Sequence, residues 1–149
     1  MNDLSQRQCT HKTTHHQADN KKAIGDFYEQ RARAWAEHSG LELVACNFYA
    51  PRLGEIDIIA KQSNTDRFGR TIQTLIFIEV RSRKLGQFTN SIESITPAKQ
   101  RKIIQTAQYF VAQNPQFEQY DCRFDVIAFD HQEGIENAQW VQAAFLTQW

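Results

Sequence analysis

The chain has 149 residues and equal numbers of acidic and basic side chains, so its formal net charge is zero. Its length suits one domain with a real core, and 41% hydrophobic and 23% charged residues are typical of a globular protein. No apolar run reaches the roughly 20 residues of a membrane helix, and the N-terminal segment lacks the apolar stretch of a secretory signal. We therefore expect one cytoplasmic domain without membrane association. The zero net charge also excludes a protein that coats nucleic acid by bulk charge.

The first predicted element is a helix that follows a polar tail. Residues 1–20 lack hydrophobic periodicity, which predicts a disordered tail, and residues 21–149 are expected to form the domain. From Lys21 to His38 the apolar residues recur at helical spacing. Glu29 lies at the edge of this apolar stripe. The predicted core-facing residues are Ile24, Gly25, Tyr28, Ala32, Trp35 and Ala36.

Strand-like segments and a second helix follow. The turn-like composition of residues 63–70 predicts an antiparallel meander. The helix that comes next has Thr96 as its N-cap and Pro97 at its first position. Residues 122–130 are a further strand, which after a helix is expected to pair in parallel with the strand before that helix. Residues 135–149 have no clear pattern. The three strands of the predicted meander are residues 41–49, 54–60 and 74–81.

Carboxylates stand at the polar ends of two predicted strands. In "GEIDIIA" the alternation of side chains places Glu55 and Asp57 on one face of the strand, and Ile56 and Ile58 on the other. In "IFIEVR" Glu79 and Arg81 share one face. If these two strands are neighbours, Asp57 and Glu79 converge at one end of the sheet, with Glu55 and Arg81 close by.

Three converging carboxylates with one cation are a poor structural arrangement, because like charges destabilise one another. One interpretation is an ion pair at the sheet edge, worth about 0–1 kcal/mol if it is exposed. The other is a divalent cation, because Mg²⁺ or Mn²⁺ takes oxygen ligands and often uses one or two carboxylates plus water and phosphate. Such a site performs metal-assisted phosphodiester hydrolysis. The predicted metal ligands are Asp57, Glu79 and Glu55.

Positive charge is concentrated in the middle of the chain. Residues 79–102 contain six basic and two acidic side chains, a net charge of +4, whereas residues 112–149 have a net charge of −5. A charge run most often marks a solvated face. The alternative is a basic face that binds the phosphates of DNA or RNA. The predicted nucleic-acid-binding residues are Arg83, Lys84, Lys99, Arg101 and Lys102.

Three motifs, in order and at compatible spacing, give the chain a family resemblance. They are the G-x-x-x-E of Gly25 and Glu29, the "GEID" of residues 54–57 and the "EVR" of residues 79–81. Together with their flanking segments between Ala23 and Asp130, they resemble the YraN family of uncharacterised bacterial proteins. That family is similar to the restriction-endonuclease-like superfamily, which is known by its PD-(D/E)-x-K motif. The resemblance implies an α/β fold with a central mixed β-sheet flanked by helices, and a metal-dependent nuclease site.

The resemblance also implies a role for individual residues. Asp57 corresponds to the motif aspartate and Glu79 to the motif Asp/Glu. Arg81 occupies the position of the motif lysine. Arginine stays protonated, so this residue can act only as a fixed cation and donor, which still suits it to stabilise a charged transition state. Glu29 matches the additional acidic residue that many such nucleases place near the metal.

A further fragment on the second helix matches the superfamily. Gln105 and Tyr109 have the Q-x-x-x-Y spacing that some of these nucleases carry after the motif. Residues at this spacing lie on one helix face, so the pair is predicted to reach the site together. Polar residues at this spacing are also common on any helix surface.

Three hypotheses for function follow. The leading one is a metal-dependent endonuclease that uses Mg²⁺ or Mn²⁺ on DNA or RNA with some structural feature. The second is a nucleic-acid-binding module with a nuclease fold and little or no turnover, which Arg81 favours. The third is a structural or adaptor protein whose acidic cluster is an ion-pair network. Metal binding separates the third hypothesis from the others, and cleavage separates the first from the second.

Overall fold

The chain is organised around a five-stranded sheet. The computed structural model describes residues 18–84, 92 and 94–147, without the side chains of residues 18, 19 and 84. Neither helix in these ranges has the length and apolar composition needed to cross a membrane. The elements in chain order are α1 (Ala18–His38), β1 (Glu42–Ala50), β2 (Gly54–Thr65), β3 (Thr71–Lys84), α2 (Pro97–Gln113), a short 3-10 turn (Pro115–Phe117), β4 (Asp121–Gln132) and β5 (Ile135–Phe145).

The strands lie in the order β1-β2-β3-β4-β5. Neighbouring strands are antiparallel except for β3 and β4, which are parallel. A parallel pair needs a crossover connection, and α2 lies in the connection between β3 and β4. The predicted meander, the parallel pairing after the second helix and the α/β class with a mixed sheet flanked by helices are confirmed.

Strand β3 lies at the centre of the sheet, and its side chains alternate between two core layers. Leu75 and Phe77 belong to the layer beneath α2, whereas Ile76 and Ile78 belong to the layer beneath α1. All four are almost completely buried, because a helix covers each face of the strand. The α2 layer also contains Ile59, Ile103, Ala107, Phe110, Phe124 and Val126, and the α1 layer contains Ala32, Ala36, Ile58, Ala60, Ile127 and Phe129.

Helix α1 packs on the sheet through its C-terminal half. Ala32 and Ala36 are fully buried, and their small side chains let the helix lie close to the strands. Packing begins at Tyr28, whose ring lies 4.9 Å from that of Phe129. The prediction that Ile24 faces the core is wrong: it is 48% exposed because it precedes the part of the helix that packs on the sheet. The helix begins at Ala18 rather than Lys21, and residues 1–17 of the predicted tail lie outside the described residues.

Helix α2 begins as its sequence predicts. The Thr96 side chain accepts a hydrogen bond from the backbone N–H of Lys99 at 3.2 Å, and Pro97 occupies the first turn. The cap satisfies one of the amides that a helix start leaves without a partner. It also holds the backbone of Lys99 in place, which matters for the site described below.

The strands extend further than their apolar segments. Strand β2 continues to Thr65 and β3 starts at Thr71, so only residues 66–70 form the turn that was predicted for 63–70. Backbone pairing between the polar ends accounts for the extension. Strand β5 was not predicted. It lies at the sheet edge, where it pairs with β4, and most of its residues are exposed. It therefore lacks the alternation of apolar and polar residues that indicates a strand.

Candidate functional site

The pairing between β2 and β3 stops next to the predicted motif residues. The last register pair joins Ile58 to Ile78. Beyond it, Oδ2 of Asp57 accepts a hydrogen bond from the backbone N–H of Val80 at 2.7 Å. A side-chain carboxylate therefore binds an amide of β3 where the register ends. This contact attaches Asp57 to the peptide that directly follows Glu79.

The regular alternation of β2 is broken at the same place. Ile56 packs in the α2 layer together with Ile59, whereas Ile58 packs in the α1 layer. The prediction that Ile56 faces the same side as Ile58 is therefore wrong. Across from Asp57, between two regular register pairs, Asn47 of β1 has a φ of 50°. Asparagine tolerates this left-handed conformation, which interrupts the regular strand geometry beside the aspartate.

Four carboxylates influence one another at this break. Burial, together with the negative charge of Glu79, raises the pKa of Asp57 to about 8. Glu29 and Glu55 act on this pKa in the same direction, whereas the hydrogen bond from Val80 lowers it. The four acidic residues predicted for the site are therefore close enough to interact electrostatically. Two of them lie on β2, one on β3 and one on α1.

Glu79 is almost completely buried and is held by two cations. Its Oε1 lies 3.2 Å from Nζ of Lys99 and 3.4 Å from Nη2 of Arg81. Burial raises the pKa of Glu79, although Lys99 and Arg81 both act to lower it. Arg81 therefore points into the site, as its strand face predicts. Lys99, which was predicted to bind nucleic acid, instead contacts Glu79 in this structure.

Glu29 belongs to a small network between α1 and β1. Its Oε2 lies 3.6 Å from Nη2 of Arg33 one turn later in the helix. In the amide orientation that gives both of its ends a partner, Asn47 donates to Oε2 of Glu29 at 3.0 Å and accepts from Nη2 of Arg33 at 2.9 Å. Burial raises the pKa of Glu29. Asn47 was not predicted as a site residue. Its only mark in the sequence is that a polar amide stands between apolar strand residues.

The remaining basic residues lie on two elements. Arg101 and Lys102 are exposed on α2, and Arg83 is half-buried on β3. The side chain of Lys84 lies outside the described part of the chain. Glu55 is exposed on β2, so it faces solvent at the edge of the acidic group.

The structure does not connect the predicted Q-x-x-x-Y pair with the acidic residues. Gln105 is exposed, and the ring of Tyr109 packs against that of Phe48 at 6.3 Å. Within the described ranges, neither side chain forms a hydrogen bond with Asp57 or Glu79. Tyr109 therefore packs on β1 in this structure.

The acidic group offers two buried or half-buried carboxylates as donors for a metal ion, those of Asp57 and Glu79. Among the described residues, no three His, Cys, Asp or Glu side chains are arranged so that they could hold a metal ion by themselves. Asp57 and Glu79 offer carboxylate oxygens, the ligands that Mg²⁺ and Mn²⁺ prefer. Mg²⁺ usually takes one or two carboxylates and completes its shell with water and phosphate oxygens, so a pair of carboxylates fits this type of ion.

Known proteins that resemble this chain belong to one family. Residues 28–129 match the family described as "Uncharacterised protein family UPF0102". A UPF0102 protein of Psychrobacter cryohalolentis is 38% identical over 146 residues, which covers 85% of this chain and 82% of that protein. The UPF0102 protein YraN of Escherichia coli O127:H6 is 39% identical over 125 residues, with 83% and 85% covered. A UPF0102 protein of Nitrosococcus oceani is 39% identical over 121 residues, with 81% and 90% covered. The chain therefore belongs to the UPF0102 family.

Proposed function

We propose that this chain is a cytoplasmic, metal-dependent nuclease that hydrolyses phosphodiester bonds in structured DNA or RNA. The observation that carries the proposal is the contact of Asp57 with the backbone N–H of Val80, directly after the buried Glu79, while Glu79, Glu29 and Glu55 all raise the pKa of this aspartate. Such an arrangement is unfavourable without a positive ligand, because burial and like charges both oppose ionisation. Strongly perturbed carboxylates of this kind are concentrated at functional sites. The free thiol of Cys122 suits a reducing compartment.

In this proposal, Asp57 and Glu79 hold the metal ion. Among the described residues Asp57 uses only Oδ2 in a hydrogen bond, which leaves Oδ1 for a ligand. Glu55 lies at the exposed edge, where it can accept hydrogen bonds from water bound at the site. A divalent ion bound there would supply Lewis-acid charge for hydrolysis.

The other polar residues have separate tasks in the proposal. Arg81 is a permanent cation beside Glu79, so it can stabilise the negative charge that develops on the phosphate oxygens. Glu29 is held by Arg33 and Asn47, which fixes its orientation toward the acidic group. The exposed cations of α2 can contact phosphates of the substrate backbone, which position a nucleic acid without reading its sequence.

A nucleic-acid-binding module with little turnover is the second candidate. The observation that favours it is the pair of cations on Glu79. Arg81 cannot deprotonate, so it cannot act as a base in place of a lysine. In such a module the same cations bind phosphate, and no bond is broken.

A cleavage assay separates the candidates. The wild type is incubated with Mn²⁺ and a panel of structured, single-stranded and duplex DNA and RNA. Under the proposal at least one substrate is cut, and Asp57→Asn lowers the rate by about 100-fold, as expected when a key electrostatic group is lost. Glu118→Gln, at an exposed position after the 3-10 turn, serves as the control and cuts at the wild-type rate. If the wild type binds nucleic acid without cutting it, the binding module is supported. If it binds neither metal nor nucleic acid, the structural or adaptor role is supported.

A further inference from the structure

One oxygen of Glu79 is shared by two cations from different elements. Lys99 reaches Oε1 from the first turn of α2, and Arg81 reaches the same atom from β3. The carboxylate is only 6% exposed, whereas the Lys99 and Arg81 side chains are 35% and 27% exposed. The cations therefore lie between a buried acid and solvent, which is also the direction from which a ligand must approach.

The charges of the site are unevenly compensated. Glu79 has two cationic partners, while no ion pair with Asp57 occurs among the described residues. A divalent cation at Glu79 would repel both neighbouring cations, because unit charges about 4 Å apart interact strongly near a protein surface. Metal and the resident cations therefore compete for the same carboxylate.

Lys99 is the partner that can leave. Its backbone N–H is held by the Thr96 cap, so a movement would be confined to the side chain. That side chain is a flexible chain that ends in a compact ammonium group. Arg81 is less free, because its side chain is more buried than that of Lys99 and its Nε is not accessible to solvent.

We propose that Lys99 is a displaceable counter-ion that occupies Glu79 in the metal-free protein and transfers to a substrate phosphate when a divalent cation binds. The inference rests on the proposed function and adds a coupling to it. Metal binding releases an ammonium group for the phosphate, and phosphate binding removes a competitor from the metal. The two ligands therefore bind cooperatively, and the coupling is reciprocal.

Calorimetric titration of Mn²⁺ tests this coupling in the full chain. Wild type, Lys99→Gln and Lys61→Gln are each titrated alone and with a non-cleavable DNA hairpin. Without DNA, Lys99→Gln should bind Mn²⁺ roughly tenfold more tightly than the wild type. The hairpin should tighten Mn²⁺ binding roughly tenfold in the wild type and hardly at all in Lys99→Gln. Lys61→Gln is the matched control: Nζ of Lys61 lies 3.1 Å from Oε1 of Glu42 and the side chain is about as exposed as that of Lys99, but it is outside the site, so Mn²⁺ affinity and the coupling should stay unchanged.

The outcomes distinguish the inference from the proposed function. If the wild type binds Mn²⁺ and loses it in Asp57→Asn, but Lys99→Gln binds no more tightly, Lys99 is not a competitor and the inference is overturned while the metal site stands. If the wild type binds no Mn²⁺, both fail. The wild-type measurement alone gives a second test that needs no folded variant, because equal Mn²⁺ affinity with and without the hairpin also overturns the inference.

Discussion

Asp57 accepts a hydrogen bond from the backbone N–H of Val80 through its side-chain carboxylate, at 2.7 Å. The contact crosses from β2 to β3 where the register between them ends. A backbone donor cannot move away without disturbing its strand, so the aspartate is held at a fixed position beside Glu79. This rigidity suits a site whose ligands must be placed accurately. It also keeps two acids together in spite of their mutual repulsion.

The first prediction concerns stability and pH. The pKa of Asp57 is about 8 in the folded chain and 3.8 when unperturbed, so between these values the folded state binds more protons than the unfolded state. The free energy of unfolding should therefore fall as the pH rises from about 4 to about 8. Asp57→Asn should reduce this slope, because an amide does not ionise. A residual slope should remain, since the pKa values of Glu79 and Glu29 are also raised.

Urea denaturation over a series of pH values measures this slope. Asp66→Asn is the control, because Asp66 lies on the hairpin turn, away from the acidic group, and its pKa is lowered by hydrogen bonds from the Arg70 backbone and side chain. That carboxylate stays ionised throughout the window, so the variant should keep the wild-type slope. A wild type whose stability rises across the window contradicts the assignment of Asp57 as a buried, repelled acid.

The second prediction is that divalent metal stabilises the fold. A ligand that binds only the folded state at 100 times its dissociation constant adds about 2.7 kcal/mol to the free energy of unfolding. Mn²⁺ should therefore raise the unfolding midpoint of the wild type, and more strongly at pH 8 than at pH 6, because protons compete for Asp57. Asp57→Ala should lose most of this effect. Equal stabilisation of wild type and variant means that Mn²⁺ binds elsewhere.

The third prediction separates the charge of Arg81 from its shape. Arg81→Lys keeps a cation beside Glu79, so it should retain the fold and nucleic-acid affinity and retain or raise any cleavage. Arg81→Ala should abolish cleavage while metal binding stays largely intact. Single-turnover cleavage of a substrate that the wild type cuts, together with Mn²⁺ titration, measures both effects. If Arg81→Ala cuts at the wild-type rate, residues 79–81 are not the catalytic motif.

The fourth prediction concerns the exposed cations of α2. Arg101 and Lys102 face solvent at the start of this helix. Each phosphate contact on duplex DNA contributes about 0.9 to the slope of log affinity against log salt concentration. The double variant Arg101→Gln, Lys102→Gln should therefore lower the slope by up to about 1.8. An unchanged slope means that these residues form a solvated face and do not contact phosphates.

The fifth prediction concerns the edge of the sheet. Asp125 is fully buried and accepts hydrogen bonds from Nε and Nη2 of Arg123, from Trp140 and from the backbone of Ala143. Removing the carboxylate leaves a partly buried guanidinium without its partner, so Asp125→Ala should cost about 3–5 kcal/mol in chemical denaturation. Asp121→Ala, at the exposed start of β4, should change stability by no more than about 0.5 kcal/mol. A small loss in Asp125→Ala would show that β5 is held by its backbone pairing alone.

Much of the candidate site could be predicted from the local pattern. The alternation of β3 correctly placed Glu79 and Arg81 on one face, where they form an ion pair, because a central strand covered on both faces keeps a strict period of two. The same reasoning failed at Ile56, where the left-handed conformation of Asn47 on the neighbouring strand interrupts the geometry. Alternation within one strand contains no information about an irregularity in its partner.

The order of the elements from α1 to β4, the Thr96 cap and the shared face of Glu79 and Arg81 could be predicted from the sequence, because each depends on residues close together in the chain. Only the packing of helices on the sheet shows which long-range partners those residues meet. Lys99 was indistinguishable from Lys102 in a basic segment until the packing of α2 placed it on Glu79. Strand β5 had no apolar alternation, and buried hydrogen bonds to Asp125 help to hold it in place. Contacts between residues distant in sequence form only when the sheet and helices pack, and so they leave no local pattern.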